Sequence, residues 1–120
     1  MRHIVIALLL AAGTLHAQET DFDAAQITAN AVVPGIYFLE GNGGNIGLSV
    51  GEDGVFIIDD QFAPLTEKIK AAIARINPAP VKYVFNTHFH FDHTGGNDNF
   101  GAGGAVIIAQ EAGECAQEAV

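Results

Sequence analysis

Short apolar segments separated by turn residues dominate the first half of the chain. Pro34-Gly35, Asn42-Gly43 and the stretch 51–54 punctuate runs of β-branched and aromatic residues. Such runs are typical of strands, and Asn-Gly is a strong signal for a hairpin. The pattern predicts antiparallel hairpins built from strands at 27–33, 36–39, 46–50 and 55–58.

The pattern changes after Asp60. Apolar residues then recur at helical spacing, at Leu65, Ile69, Ile73 and Ile76. This spacing predicts an amphipathic helix over 65–76. Strands follow at 81–85 and 105–109, and 110–120 could begin another helix. The order of elements predicts an α+β fold, a mixed sheet with helices on one face.

Residues 1–17 have the features of a secretory signal peptide. Arg2 gives a positive start, and an uninterrupted apolar run over 4–12 leads into smaller, more polar residues. Because a spanning helix needs roughly 20 apolar residues, the run is too short for a stable membrane anchor. We therefore predict cleavage near Ala17, a periplasmic or secreted protein, and a single domain over 18–120.

The charge balance argues against a nucleic acid as a general partner. The 120-residue chain carries 14 Asp and Glu against 5 Lys and Arg, a formal net charge of −9. Such an acidic chain repels a phosphate backbone and an anionic membrane surface alike. The single cysteine, Cys115, allows neither an internal disulfide nor a cysteine-rich metal site.

Outside the predicted signal peptide, every histidine lies in one six-residue window that also contains Asp92. Alternate residues of an extended chain project to the same side, so His88 and His90 can present their imidazoles to one point. A turn beyond them lets Asp92 and His93 face a second point nearby. Imidazole nitrogens and carboxylate oxygens suit zinc, and also iron or manganese. The alternative is a His-rich surface loop without a metal.

Several neighbouring residues allow more than one interpretation. Asp59 can cap the following helix, and capping or solvent exposure is expected for Asp60. Phe89 and Phe91 either line a pocket or pack beneath the loop. Thr94 is expected to cap a helix.

The segment 87–96, Thr-His-Phe-His-Phe-Asp-His-Thr-Gly-Gly, resembles the metal-binding motif of the metallo-β-lactamase-fold hydrolases. Residues 55–60, Val-Phe-Ile-Ile-Asp-Asp, resemble that family's strand ending in Asp, and the helix and strand between the two segments come in the expected order. The resemblance covers about residues 27–110. It implies the N-terminal half of a four-layer αββα sandwich, with the site at one edge.

The resemblance also implies a role for each motif residue. His88 and His90 would bind a first metal ion. Asp92, the candidate catalytic carboxylate, and His93 would bind a second, and Asp59 would orient a ligand from behind. Two zinc ions are expected in the complete domain. A metal-bound hydroxide would hydrolyse a lactam, lactone, ester or thioester, and the hairpin 41–45 is a candidate flap over this small-molecule substrate.

The chain departs from the family pattern in one respect. The family takes further ligands from its second half, whereas no histidine follows His93. We therefore interpret 18–120 as a partial domain that needs a missing C-terminal half or a partner to complete the site, and expect it to be weakly active or inactive alone. The alternative functions are an iron-dependent redox enzyme of the same fold and a non-catalytic metal-binding module.

Overall fold

A mixed sheet of six strands forms the body of the protein, whose computed structural model describes residues 21–110. The strands lie side by side in chain order, the first four antiparallel and the last two parallel to the fourth. They are β1 (Thr28–Val33), β2 (Ile36–Glu40), β3 (Asn45–Gly51), β4 (Gly54–Ile58), β5 (Val81–Phe85) and β6 (Val106–Ile108). The six strands predicted from the sequence are confirmed to within one residue at each end.

The helical elements of the described residues are short. A 3₁₀ turn at Ala63–Leu65 precedes α1 (Thr66–Ala74), and α2 (Phe91–Thr94) and α3 (Asn97–Ala102) follow β5. The single helix predicted over 65–76 is therefore a 3₁₀ turn joined to a shorter α-helix. Neither α2 nor α3 was predicted, because the pattern after β5 indicated only a turn.

One face of the sheet carries the hydrophobic core. Alternate residues of β3 and β4 point to this inner face, where they pack against α1 and α3. The buried core side chains are Leu39 of β2, Ile46 and Leu48 of β3, Val55 and Ile57 of β4, Leu65 of the 3₁₀ turn, Ile69 and Ile73 of α1, Val84 of β5, and Phe100 of α3. The prediction of helices on one face of a mixed sheet is confirmed.

The opposite face of β4, β5 and β6, here called the outer face, is apolar as well. Ile58, Phe85 and Ile108 lie side by side across these strands. They remain 50%, 39% and 42% exposed within the described residues. The outer face therefore resembles a surface that packs against another layer rather than one that faces water.

Three chain segments meet at one edge of the sheet, here called the site edge. β4 and β5 are parallel neighbours, so Asp59 and the loop after Phe85 emerge side by side. β3 runs antiparallel to β4, so the tip of the β2–β3 hairpin, residues 41–44, reaches the same edge. The topology thus gathers residues that are distant in the sequence.

Some predictions concern residues outside the described range. The signal peptide at 1–17, Cys115 and the helix expected within 110–120 belong to or extend into these parts. Within residues 21–110, no helix is both long enough and apolar enough to cross a membrane.

Candidate metal centre

His88 and His90 form the first pair of candidate ligands, in the loop after β5. Nε2 of His88 lies 3.1 Å from Nδ1 of His90. Two nitrogens that bind the same tetrahedral zinc at 2.0–2.1 Å are roughly 3.3 Å apart. The two imidazoles therefore already have nearly the separation that a shared ion requires, although residues 87–89 form a bend and do not continue the extended strand that the prediction assumed.

Asp92 and His93 form the second pair, at the start of α2. Oδ2 of Asp92 lies 3.5 Å from Nε2 of His93, and both side chains are half-buried. The two pairs are neighbours, since the ring centroids of His88 and His93 are 4.1 Å apart. The structure thus brings all four predicted ligands together at the site edge.

A buried carboxylate, Asp59, holds His93 of the second pair from behind. Its Oδ2 accepts a hydrogen bond from Nδ1–H of His93 at 2.7 Å. Its other oxygen, Oδ1, accepts the backbone N–H of Thr87 at 2.8 Å. Since Nδ1 of His93 carries the donated proton, Nε2 keeps its lone pair and can bind a metal.

The same carboxylate acts on the first pair through Thr87. The Thr87 hydroxyl donates to Oδ2 of Asp59 at 2.8 Å. The hydroxyl oxygen can then accept Nδ1–H of His88, which lies 2.9 Å away, and this leaves Nε2 of His88 unprotonated. One carboxylate therefore sets the tautomer of two ligands. Sequence reasoning gave Thr87 no role, because this chain of hydrogen bonds depends on the fold.

The donor chemistry fits a metal, but the ligand set is incomplete. Within residues 21–110, no three or more His, Cys, Asp or Glu side chains are arranged so that together they could hold a metal ion. The site instead consists of two donor pairs, and a tetrahedral zinc needs four ligands. Each pair therefore supplies about half of what one ion requires.

Neither acidic residue after β4 caps the following helix. The 3₁₀ turn begins after Phe62 and has no side-chain cap. Asp60 is fully buried, and its Oδ1 accepts the backbone N–H of Gly96 at 2.9 Å. The expectation of helix capping or solvent exposure for Asp60 is therefore wrong. The parallel pairing of β4 and β5 places it under the turn between α2 and α3.

One further expectation for the loop is wrong, and one of the two alternatives for Phe89 and Phe91 is excluded. Thr94 ends α2 instead of beginning a helix, and its hydroxyl donates back to the carbonyl of His90 at 3.2 Å. Phe89 and Phe91 do not pack beneath the loop, because they are 43% and 70% exposed. The Phe89 ring lies edge-on to the His90 ring, with their centroids 4.8 Å apart.

Burial raises the pKa of the Asp60 carboxyl to about 7. Removal from water is the main cause, and the negative charge of Asp59 adds to it, while the Gly96 N–H opposes it. The second oxygen, Oδ2, is buried and has no hydrogen-bond partner among the described residues. The folded chain therefore retains a proton that the unfolded chain loses above pH 3.8.

This shift predicts a pH-dependent effect of Asp60→Asn in the metal-free protein. As pH rises from 3.8 to about 7, Asp60 costs the wild type stability progressively, and the neutral Asn removes this cost. At about 1.4 kcal/mol per pKa unit, the variant should gain on the order of 4 kcal/mol over the wild type across this window. Urea unfolding at pH 4.5 and pH 8 measures it. Asp53→Asn, in an exposed turn, is the control, and equal effects at both pH values would contradict the shift.

Comparison with known proteins places the fold in a family. The sequence model of the metallo-beta-lactamase superfamily matches residues 39–114, which is more than half of the chain. The chain therefore belongs to the metallo-β-lactamase superfamily, as its motif resemblance indicates. No curated protein sequence matches the chain closely enough to count as a relative.

Solved structures agree with this assignment. A metallo-β-lactamase of Cronobacter sakazakii with a HARLDQ motif is 26% identical, with a TM-score of 0.67 over 75% of this chain and 36% of its own. BJP-1, a subclass B3 metallo-β-lactamase of Bradyrhizobium japonicum, is 26% identical, with a TM-score of 0.66 over 76% of this chain and 36% of its own. The mono-zinc form of FIM-1 from Pseudomonas aeruginosa shares the fold at 19% identity, with a TM-score of 0.65 over 73% of this chain and 43% of its own. The chain thus spans about a third of the length of the first two, consistent with the N-terminal half of the sandwich.

Proposed function

We propose that the chain is the metal-binding half of an exported, zinc-dependent hydrolase. The observation that carries this proposal is that two donor pairs meet at the site edge, and that hydrogen bonds leading to the buried Asp59 orient one histidine of each pair. Family membership supports a hydrolase, and the signal-like residues 1–17 support a periplasmic or secreted location. The acidic chain argues against a nucleic acid, and we propose a small molecule as the substrate.

Each motif residue has a distinct part in this proposal. His88 and His90 would hold one ion through Nε2 and Nδ1, and Asp92 and His93 would hold the other through Oδ2 and Nε2. When bound, zinc would lower the pKa of water and polarise a substrate carbonyl. Asp59 keeps the protons of the two hydrogen-bonded imidazoles on Nδ1, away from the metal side. Asp92 contributes the carboxylate of this ligand set and so touches the reacting centre.

The substrate class is a lactam, lactone, ester or thioester. The test is hydrolysis of one compound of each class by the whole protein, with and without a chelator. We expect at least one to be hydrolysed, the rate to fall on chelation, and zinc to restore it. Stoichiometric zinc without any hydrolysis would instead favour a metal-binding module, and native iron with redox activity would favour the oxidase alternative.

We further propose that the outer face packs against a second layer, supplied by the remainder of the domain or by a partner, which also completes the ligand set.

Substitutions at two adjacent residues of β4 test whether the outer face is covered. Ile57 faces the core and is fully buried, whereas Ile58 lies on the outer face. Ile57→Ala should cost about 2–5 kcal/mol of unfolding free energy. In the whole protein, where the second layer would cover Ile58, Ile58→Ala should lower the unfolding free energy by more than about 1 kcal/mol. A cost within about 0.5 kcal/mol, as at exposed sites, would show that the outer face is uncovered.

A further inference from the structure

The glycine tip of the β2–β3 hairpin lies directly against the second ligand pair. A Cβ placed on Gly44 would lie 2.9 Å from Cε1 and 3.2 Å from Nε2 of His93. A Cβ on Gly43 would lie 3.0 Å from Cβ of Asp92. The absence of side chains at these two positions therefore lets the hairpin backbone lie against Asp92 at Gly43 and against the Nε2 side of the His93 ring at Gly44.

A buried glutamine holds this tip in place. Gln61 is fully buried, and its Nε2 donates a hydrogen bond to the carbonyl of Gly44. Its Oε1 accepts the backbone N–H of Asn42 at 3.3 Å. A side chain at Gly41 would overlap the Gln61 carboxamide, so this glycine leaves room for the contact. The carboxamide thus binds the hairpin on both sides of Gly43.

Gln61 and Asp59 belong to one short segment after β4. Both have a left-handed backbone, with φ of 57° at Gln61 and 63° at Asp59. This conformation is uncommon for residues other than glycine and persists where the surrounding structure requires it. The backbone carbonyl of Gln61 also accepts the N–H of Gly96 at 3.1 Å, beyond α2. The segment therefore contacts the His93 ring from behind through Asp59 and the hairpin in front of it through Gln61.

We infer that Gln61 is a positioning residue that holds the glycine tip 41–44 as a fixed wall against His93, keeping Nε2 of His93 directed at the ion it would share with Asp92. The inference rests on the proposed function. It changes the interpretation of residues 41–45 from a candidate flap to a fixed part of the site. It also makes binding of the second ion depend on the hairpin, because the side-chain atoms nearest to Gly43 and Gly44 include those of Asp92 and His93 but none of His88 or His90.

The first test variant is Gly44→Ala. Gly44 is not among the glycines with positive φ, so an alanine there is disfavoured by its contact with His93 rather than by the backbone. We expect the whole protein with this substitution to bind the first Co²⁺ ion with wild-type affinity. It should bind the second ion at least 10-fold more weakly than the wild type does, as measured by titration of the visible absorption. Gly51→Ala is the matched control, because a Cβ at Gly51 has nothing within 4 Å, and it should bind both ions normally.

The second variant is Gln61→Met, which keeps the size of the side chain and removes both hydrogen bonds to the hairpin. Residues that orient metal ligands typically change affinity 10–100-fold, and we expect a loss in this range for the second ion only. His93→Ala provides the reference titration for a protein with only the first ion. If Gln61 had only a structural role, the substitution would lower the unfolding temperature and reduce the affinity for both ions by the same factor. Circular dichroism identifies any variant that does not fold.

The outcomes separate the two proposals. If Gln61→Met, folded as judged by circular dichroism, binds the second ion as the wild type does, the positioning role is wrong while the metal site stands. If the variant binds both ions more weakly by the same factor, the positioning role is also overturned. If the wild type binds no Co²⁺ or Zn²⁺ at all, the proposed function fails before the variants are compared.

Discussion

His90→Ala is expected to remove the first metal ion while leaving the sheet folded. His90 is exposed and outside the core, so its loss creates no cavity. It supplies one of the two nitrogens that lie 3.1 Å apart in the first pair. Residues behind metal ligands already change affinity 10–100-fold, so loss of a direct ligand should exceed about 100-fold.

The measurement is metal per chain by mass spectrometry after gel filtration, together with far-ultraviolet circular dichroism. Phe89→Ala is the matched control, because Phe89 is an exposed neighbour in the same loop. We expect the control to retain both ions. Unchanged metal content in His90→Ala would rule out the assignment of His90 as a ligand.

Asp59→Asn is expected to weaken the binding of both ions although Asp59 is not itself a ligand. Asn has the same shape and tolerates a left-handed backbone, so the change isolates the charge and the acceptor oxygens. Asp59 receives three hydrogen bonds, two from Thr87 and one from His93. An amide NH₂ in place of one oxygen would face these donors. The tautomers of His93 and of His88 would then no longer be fixed, and we expect affinity to fall 10–100-fold, most strongly for the second ion.

Competition with a chromophoric chelator measures this affinity. Asp98→Asn, an exposed acidic residue at the start of α3, controls for the loss of one negative charge. If Asp59→Asn and Asp98→Asn bind both ions equally well, Asp59 does not orient the ligands and its contacts with Thr87 and His93 are only structural.

The strands and the ligand cluster could be predicted from the sequence because their signals are local. Val81–Phe85 and its counterparts are short apolar runs bounded by turn residues, and Asn42-Gly43 marks the hairpin. His88, His90, Asp92 and His93 lie within six residues, so chain geometry alone brings them close. The amphipathic spacing from Leu65 likewise identified the helix that covers the core.

The remaining helices could not be predicted, for a physical reason. α3 has the sequence Asn-Asp-Asn-Phe-Gly-Ala, and Asn, Asp and Gly are weak helix formers. It is stabilised by Phe100, which is buried in the core, a tertiary contact that no local pattern reports. α2 is a single turn, too short for a recognisable period.

The environment of the segment 59–61 also depends on distant residues. Gln61 contacts a hairpin 17 to 19 positions earlier in the chain, and Asp60 contacts Gly96, 36 positions later. A glutamine and an aspartate after a strand are ordinary surface residues by composition. Only the meeting of β3, β4 and β5 at the site edge makes them buried residues beside the candidate metal ligands.

The central claim, that the four motif residues hold metal, is tested most directly by anomalous diffraction at the zinc edge from crystals of the whole protein grown with zinc. The account predicts two peaks, one in contact with Nε2 of His88 and Nδ1 of His90, the other with Oδ2 of Asp92 and Nε2 of His93. Crystals that show these side chains clearly and no peak beside either pair would contradict it.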